Sequence, residues 1–270
     1  MTSATGRAAS WRRLRDLAPL GLLVAVATLV DRTRSRAPDR LVPEDAFLAP
    51  TWSRPLGAGE AGVDLAALVA RAELQSLALA LVVALVGIGL GLPLGAFAAM
   101  ARGRVERGVA RACDLVQAFP TFLLALAVLS SVRSPTRIHL ALVFAATAWA
   151  PFARLALAET RVLRSTAFVE AAYALGRDAR GVFLRHVLPN LLPVAAVQLG
   201  ASAAAIVVSE AALAFVGLGP RDGVSLGGLL DQGVLAMLRA PHVLVLASAT
   251  VFVTSSALLL AGRAADGRRR

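Results

Sequence analysis

An all-α integral membrane protein with about six transmembrane helices is the fold class this sequence predicts, on three observations. Hydrophobic residues make up 57% of the 270, and the mean hydropathy is +0.70; soluble domains average about 45–50% apolar. The excess gathers into runs of about 20 residues, the length that crosses a bilayer. All 28 basic residues are arginine, and they flank those runs instead of forming one basic face.

The first run, 17–30, is short, with arginines at its ends that can snorkel. Arg7, Arg12, Arg13 and Arg15 ahead of it resemble the basic region of a signal peptide. No small-x-small cleavage site precedes Asp31-Arg32, which favours an uncleaved first span. Residues 31–71 hold Pro38, Pro43, Pro50 and Pro55 with little apolar periodicity, and read as an irregular extracytoplasmic loop. Further spans are expected at 74–100, 112–131, 138–157, 193–217 and 242–262. The positive-inside rule then places both termini in the cytoplasm. Most arginines fall on inner segments, in clusters around Arg102–Arg111, Arg154–Arg185 and Arg263–Arg270; Arg32, Arg34 and Arg36 run against the trend. The expected organisation is a cytoplasmic N-terminus (1–16), a first transmembrane helix (17–30), an extracytoplasmic loop (31–71), a transmembrane domain (72–262) and a cytoplasmic C-terminus (263–270).

Several chemistries are excluded. Without lysine there is no phosphate-binding Gly-Lys-Ser/Thr loop and no Schiff base. If ATP drives this protein, another chain binds it, so no cofactor is expected here. His139, His186 and His242 lie in separate segments without metal-ligand spacing, and no catalytic motif appears. The chain is therefore expected to be neither an enzyme nor a metal binder. A net charge of +11 spread among span ends argues against a nucleic-acid partner. The single cysteine, Cys113, permits no intrachain disulfide and reads as a packing residue.

Within the spans, Gly87, Gly91 and Gly95 share one helix face and predict close helix packing. Pro120 and Pro151 are expected kinks. Asp114, Gln117, Gln198 and Glu210 read either as interfacial structural groups or as pathway residues. Other mid-span ionisable groups look nearly absent, which counts against a proton-coupled carrier.

Residues 170–190 form a polar, arginine-bearing island between apolar runs. The spacing predicts two short helices over 165–187 broken at Gly176, the first capped by Ser165 or Thr166, and the second ended by Pro189. Val182, Phe183 and Val187 give it an apolar side, opposite Arg177, Arg180 and Leu184. Such a pair either lies passively on a bilayer or docks into a groove of a soluble partner.

The island resembles the cytoplasmic "EAA" loop of binding-protein-dependent ABC importer permeases. Phe168-Val-Glu-Ala-Ala-Tyr-Ala-Leu-Gly176 and Arg185-His-Val-Leu-Pro-Asn190 carry the likeness, joined by Trp149-Ala-Pro-Phe-Ala-Arg154, Asp114-Leu-Val-Gln-Ala-Phe-Pro120 and Glu210-Ala-Ala-Leu-Ala-Phe-Val-Gly-Leu-Gly219. Together they are similar to the "C-type" subunit of the dipeptide/oligopeptide/nickel permease family. Leu56-Gly-Ala-Gly-Glu-Ala-Gly-Val-Asp64 and Gly223-Val-Ser-Leu-Gly227 depart from that family's outer-loop patterns.

The resemblance implies the ABC importer type I transmembrane fold in a bacterial inner membrane. It implies a second, homologous permease subunit, two ATP-binding subunits and an extracytoplasmic solute-binding protein as partners, besides the lipid bilayer. The solute it implies is a di- or oligopeptide, or nickel. Glu170, Ala171, Ala172, Gly176, Arg177, Arg180 and Pro189, in the coupling loop 165–190, become the residues that couple to the ATPases, and Glu210, Phe215 and Gly217 become candidate pathway or gate residues. A stand-alone membrane carrier or scaffold is the competing reading.

Overall fold

The computed structural model of the chain describes residues 2–34 and 43–264. Ten α-helices follow one another: α1 Thr2–Arg34, α2 Leu65–Ala101, α3 Gly103–Ala118, α4 Thr121–Leu129, α5 Arg137–Leu163, α6 Ala167–Ala174, α7 Ala179–Val182, α8 Leu188–Leu213, α9 Leu226–Leu235 and α10 Pro241–Ala264. Pro38 and the C-terminal 265–270 lie outside the described residues.

Four stretches are long and apolar enough to cross a membrane: Leu65–Ala101, Arg137–Leu163, Ala179–Leu218 and Pro241–Ala264. A fifth crossing requires α3 and α4 together, and these meet at a 66° bend. Pro120 produces that bend, as its position predicts, since a proline cannot donate the helix bond. Pro151 does not break α5, which runs through it unbroken. The sixth expected crossing, 17–30, lies in α1, whose apolar run is short of a full span. α1 packs along α10 and α2, and two ion pairs fix its far end to α2: Arg34 to Asp64 at 2.5 Å and Arg71 to Asp31 at 3.4 Å.

The loop is shorter than the expected 31–71, since α1 takes 31–34 and α2 takes 65–71; its described part, 43–64, is irregular, with short turns at Pro43–Asp45 and Glu60–Gly62. α2 begins nine residues before the expected span, because Asp64 caps it by accepting the Ala66 N–H at 2.9 Å. The glycine-rich α9 follows from a similar signal: the Ser225 hydroxyl accepts the Gly228 N–H at 3.1 Å.

The central contact is between α2 and α5. Gly87, Gly91 and Gly95 all lie against the α5 backbone. A methyl at Gly87 would sit 2.7 Å from the Ala148 carbonyl; one at Gly91 would sit 2.8 Å from Phe152 Cβ and against the Trp149 carbonyl; one at Gly95 would strike Ala153. Gly89, off this face, has open space around it. Small residues let the two backbones touch, where dispersion between lipid-free surfaces does the work. Above and below, apolar clusters fill the bundle. Leu79, Val83, Leu129, Leu140, Phe144 and Val207 form the middle one.

Gly91→Leu is expected to lower the thermal stability of the purified chain in detergent, by about 1–3 kcal/mol for overpacking a tight contact. Gly89→Leu is expected to leave the melting curve within experimental scatter. Equal losses in the two variants would show that α2 and α5 do not meet through this face.

Candidate functional site

The 165–190 loop begins where α5 ends. Ser165 and Thr166 do not cap α6, contrary to expectation. Their hydroxyls turn back and donate to the last carbonyls of α5, Ser165 to Val162 at 2.9 Å and Thr166 to Leu163 at 2.5 Å. These last-turn carbonyls lack their i+4 partners and take the backbone N–H of the same residues, Ser165 at 3.2 Å and Thr166 at 3.1 Å, so the hydroxyls are drawn to them as well. α6 then runs to Ala174 and closes with Gly176 at φ +81°. The Gly176 N–H donates to Tyr173 at 2.9 Å, and the Arg177 N–H to Ala172 at 3.2 Å. That pair of bonds is the Schellman ending, which requires a left-handed residue. Nothing lies within 4 Å of where a Gly176 side chain would start, so its backbone angle, and not crowding, calls for glycine.

Asp178 starts α7, its carboxylate accepting the Gly181 N–H at 3.1 Å. α7 does not stop at Pro189. A π-helical turn, Phe183–Val187, carries it into α8, with the Leu188 N–H bonded to the Phe183 carbonyl. Pro189 sits in the first turn of α8, directly after the π turn, whose interrupted i→i−4 ladder accommodates the missing N–H. The expectation that Pro189 ends the helix is corrected on that ground: the helical stretch is continuous from Ala179 to Leu218.

One face anchors the loop. Val169, Ala172, Val182 and Val187 are buried against Leu92 and Ala96 of α2, Ala156 of α5 and Leu191 of α8. The other face is bare. Glu170, Ala171, Gly176, Arg177, Arg180 and Pro189 are all exposed, and Leu175 is 85% exposed. The predicted coupling residues are thus all exposed except Ala172, which is an anchor. A cavity of about 460 Å³ lies between Tyr173, Arg180 and Phe183 of the loop and Phe97 and Met100 of α2.

Just before the loop, charge ties three helices together. Glu106 of α3 accepts from Arg161 at 2.5 Å and from Arg164 at 3.5 Å, and Arg164 also donates to the Ala99 carbonyl of α2 at 2.5 Å. The Arg161 bond, and the charge of Arg164 beside it, hold the Glu106 carboxyl below the usual carboxylate range. Nearby, Arg154 pairs with Asp114. Sequence reasoning missed Glu106; its place among arginines between two apolar runs gave only a general hint of pairing.

At the opposite end of the bundle the candidate gate residues separate. Glu210 is 2% exposed, inside the protein instead of at an interface. Phe215 is 42% exposed. Gly217, at φ +82°, lies in the π turn Ala214–Leu218 where α8 unwinds, and borders a cavity of about 320 Å³ with Leu68, Pro220 and Gln232. Near Glu210, Arg137 donates to the Gln75 side chain and, at 3.1 Å, to the Val224 carbonyl, while its backbone N–H donates to Asp222 at 3.2 Å. Glu73, also buried, accepts from Thr254 of α10 at 3.2 Å. Buried Glu73 corrects the expectation that other such groups are nearly absent. The i, i+3 spacing of Glu73 and Ser76 at the head of an apolar helix was the available signal. Gln117 and Gln198 make only local bonds, to the Cys113 carbonyl and to Ser202. Among the described residues, no three His, Cys, Asp or Glu side chains gather to hold a metal.

Residues 91–266 match the family described as "Binding-protein-dependent transport system inner membrane component". The chain is similar to the glutathione transport system permease protein GsiD of Pectobacterium atrosepticum, 30% identical over 221 residues, covering 82% of this chain and 72% of the relative. It is also similar to GsiD of Shigella dysenteriae (34%) and of Escherichia coli O157:H7 (33%), each over 165 residues, 61% of this chain. It spans about half the length, 53%, of those two relatives.

Glu106→Gln is expected to cost about 1 kcal/mol, near the low end for a charged hydrogen bond because Arg161 is half exposed to water. A depressed carboxyl stabilises the fold above its unfolded pKa and loses that effect as pH falls through the folded value. The melting-temperature gap between wild type and Glu106→Gln should therefore be full at neutral pH and close at acid pH; a gap that widens on acidification contradicts the pairing.

Proposed function

The chain belongs to the family of binding-protein-dependent transport system inner membrane components, and on that premise we propose that it is the permease subunit of an ATP-driven importer whose loop 165–190 receives the stroke of separate ATPase subunits. The observation that carries this reading is the loop's two-sidedness. Val169, Ala172, Val182 and Val187 fasten it to the bundle, while Glu170, Ala171 and Arg177 are exposed and Arg180 borders the cavity beside α2. A passive surface helix has no use for a left-handed hinge between two short rods. A lever has, because Gly176 lets α6 and α7 change angle while α7 stays joined to α8.

In this reading a homologous permease completes the path, two ATP-binding chains dock beneath, and an extracytoplasmic binding protein delivers solute. Both termini lie inside, in keeping with the arginine distribution. The domain limits proposed from the sequence, 17–30 for the first span and 72–262 for the permease core, go with it. ATP is bound by the partners, and this chain carries no catalytic group of its own. The solute is a short peptide. The relatives are named for glutathione, itself peptide-like, and this favours a peptide over nickel. Glu210 and Gly217 act at the outer end, where α8 unwinds, with Phe215 on its exposed side.

Co-expression with the neighbouring second permease and ATPases, followed by co-purification in detergent, tests the docking. Loss of the ATPases on deletion of 165–187, or on Glu170→Arg, is expected; undiminished recovery removes the coupling role. For the hinge, Gly176→Val is expected to abolish peptide uptake at normal expression while Gly176→Asn keeps most of it, because asparagine tolerates the left-handed region and a β-branched residue does not. Uptake of nickel but not of labelled peptides would reassign the solute.

A further inference from the structure

α3 has two unlike faces. Glu106 and Cys113 point into the bundle and are buried. The opposite side carries Arg104, Arg107 and Arg111, all exposed, at the i, i+3, i+7 spacing of one helix stripe. The stripe continues into Leu115, 66% exposed, and reaches Phe119, 61% exposed. Among the described residues none of the three guanidinium groups forms an ion pair; Arg107 makes only a bond to the Gly103 carbonyl of its own helix, at 3.2 Å.

The order along this face matters more than its charge. It changes from basic to apolar between Arg111 and Leu115, about 6 Å along the axis at 1.5 Å per residue. An acidic protein surface complements the arginines but leaves Leu115 and Phe119 against water. A bilayer complements both, with phosphates at one level and acyl chains at the next. The 66° bend after α3 tilts this helix away from α4, so its side and not its tip lies along that boundary. Arginine suits the task, since its planar fork pairs with phosphate oxygens bidentately.

We propose that the exposed face of α3 is a binding site for anionic phospholipid, with Arg104, Arg107 and Arg111 holding headgroup phosphates and Leu115 and Phe119 seated against the acyl chains. The site requires only that α3 and α4 lie in a membrane. It is independent of the role given to the 165–190 loop, so either can fail alone.

The test uses the full chain purified in detergent with mixed phosphatidylglycerol and phosphatidylcholine, and native mass spectrometry to count retained lipid. Wild type is expected to prefer the anionic lipid. R104Q/R107Q/R111Q together should reduce that preference by roughly tenfold or more, since each arginine near an anionic surface contributes several-fold. The triple lysine variant should keep most of it, and Arg133→Gln, an exposed arginine elsewhere, should change nothing. If the triple glutamine variant fails to fold, R107Q and R111Q singly should give graded losses in the same assay. The proposal is overturned if wild type shows no preference, if the glutamine variants keep it, if Arg133→Gln lowers it equally, or if excess inorganic phosphate alone displaces the lipid. It is overturned as well if the variant keeps its lipid but loses co-purifying ATPase, which would give the face to a protein partner.

Discussion

Backbone contact between α2 and α5 is the constraint on which the rest of the molecule depends. Three glycines, Gly87, Gly91 and Gly95, leave no side chain between the helices, so α5 is seated directly on α2 along their middle turns. Such a seat fixes the register of both helices over their whole length, because sliding by one residue would put a side chain where only hydrogen fits. The polar contacts at the two ends follow from that register. Toward the end where α5 starts, Arg137 meets Gln75; toward the end where it finishes, Arg164 meets the Ala99 carbonyl. Neither contact is local in sequence, and neither survives a shift of α5 along α2.

A rigid pair needs compliant parts around it if anything is to move. α8 is flanked by π turns at both ends, Phe183–Val187 and Ala214–Leu218, and between them it is regular. π turns trade the tight i→i−4 ladder for a looser ring and are common where a helix must accommodate function. The first one absorbs Pro189 without interrupting the rod. The second lets the chain leave α8 through Gly217 in a left-handed turn. Force applied to α7 therefore passes along α8 as a single body, because the connection bends without parting, whereas the α6 side is separated by Gly176. Under the proposed cycle this asymmetry decides which span is driven: α8 is pushed, and α5, seated on α2, serves as the fixed reference.

How much of this was legible in the sequence varies with the kind of interaction. The glycine face could be read directly, since a four-residue spacing in an apolar run has few other meanings. Gly176 was legible too, because left-handed helix endings select glycine strongly. Pro189 was misread for a local reason: proline is both a helix breaker and a favoured first-turn residue, and only the π turn ahead of it decides which. Ser165 and Thr166 were misread because their hydroxyls had two claimants, the helix ending before them and the helix starting after. The Glu106, Arg137 and Glu73 contacts bring together residues at separations of 55, 62 and 181 along the chain. No periodicity within one segment encodes a contact of that range. Of the proposed coupling residues, the spacing placed them on one loop, but Ala172's inward direction depended on Leu92 and Ala96, which approach only through the α2–α5 seat.

The two ends of that seat are held by different groups, all of them in part-buried contacts. At the loop end Glu106 is buried, while its partner Arg161 is half exposed. Water can replace each bond as it breaks, so separation there is inexpensive and reversible. At the other end, Arg137, Gln75 and Val224 join in a half-buried cluster beside Glu210 and Ser76, which are both buried. Groups like these are costly to leave unsatisfied away from water. Admitting water to that end hydrates both Glu210 and Ser76, and so offsets part of the loss of the Arg137 contacts. Separating the two ends therefore meets different costs: the exposed arginines at the loop end regain water at once, whereas Glu210 and Ser76 regain it only if water enters the bundle.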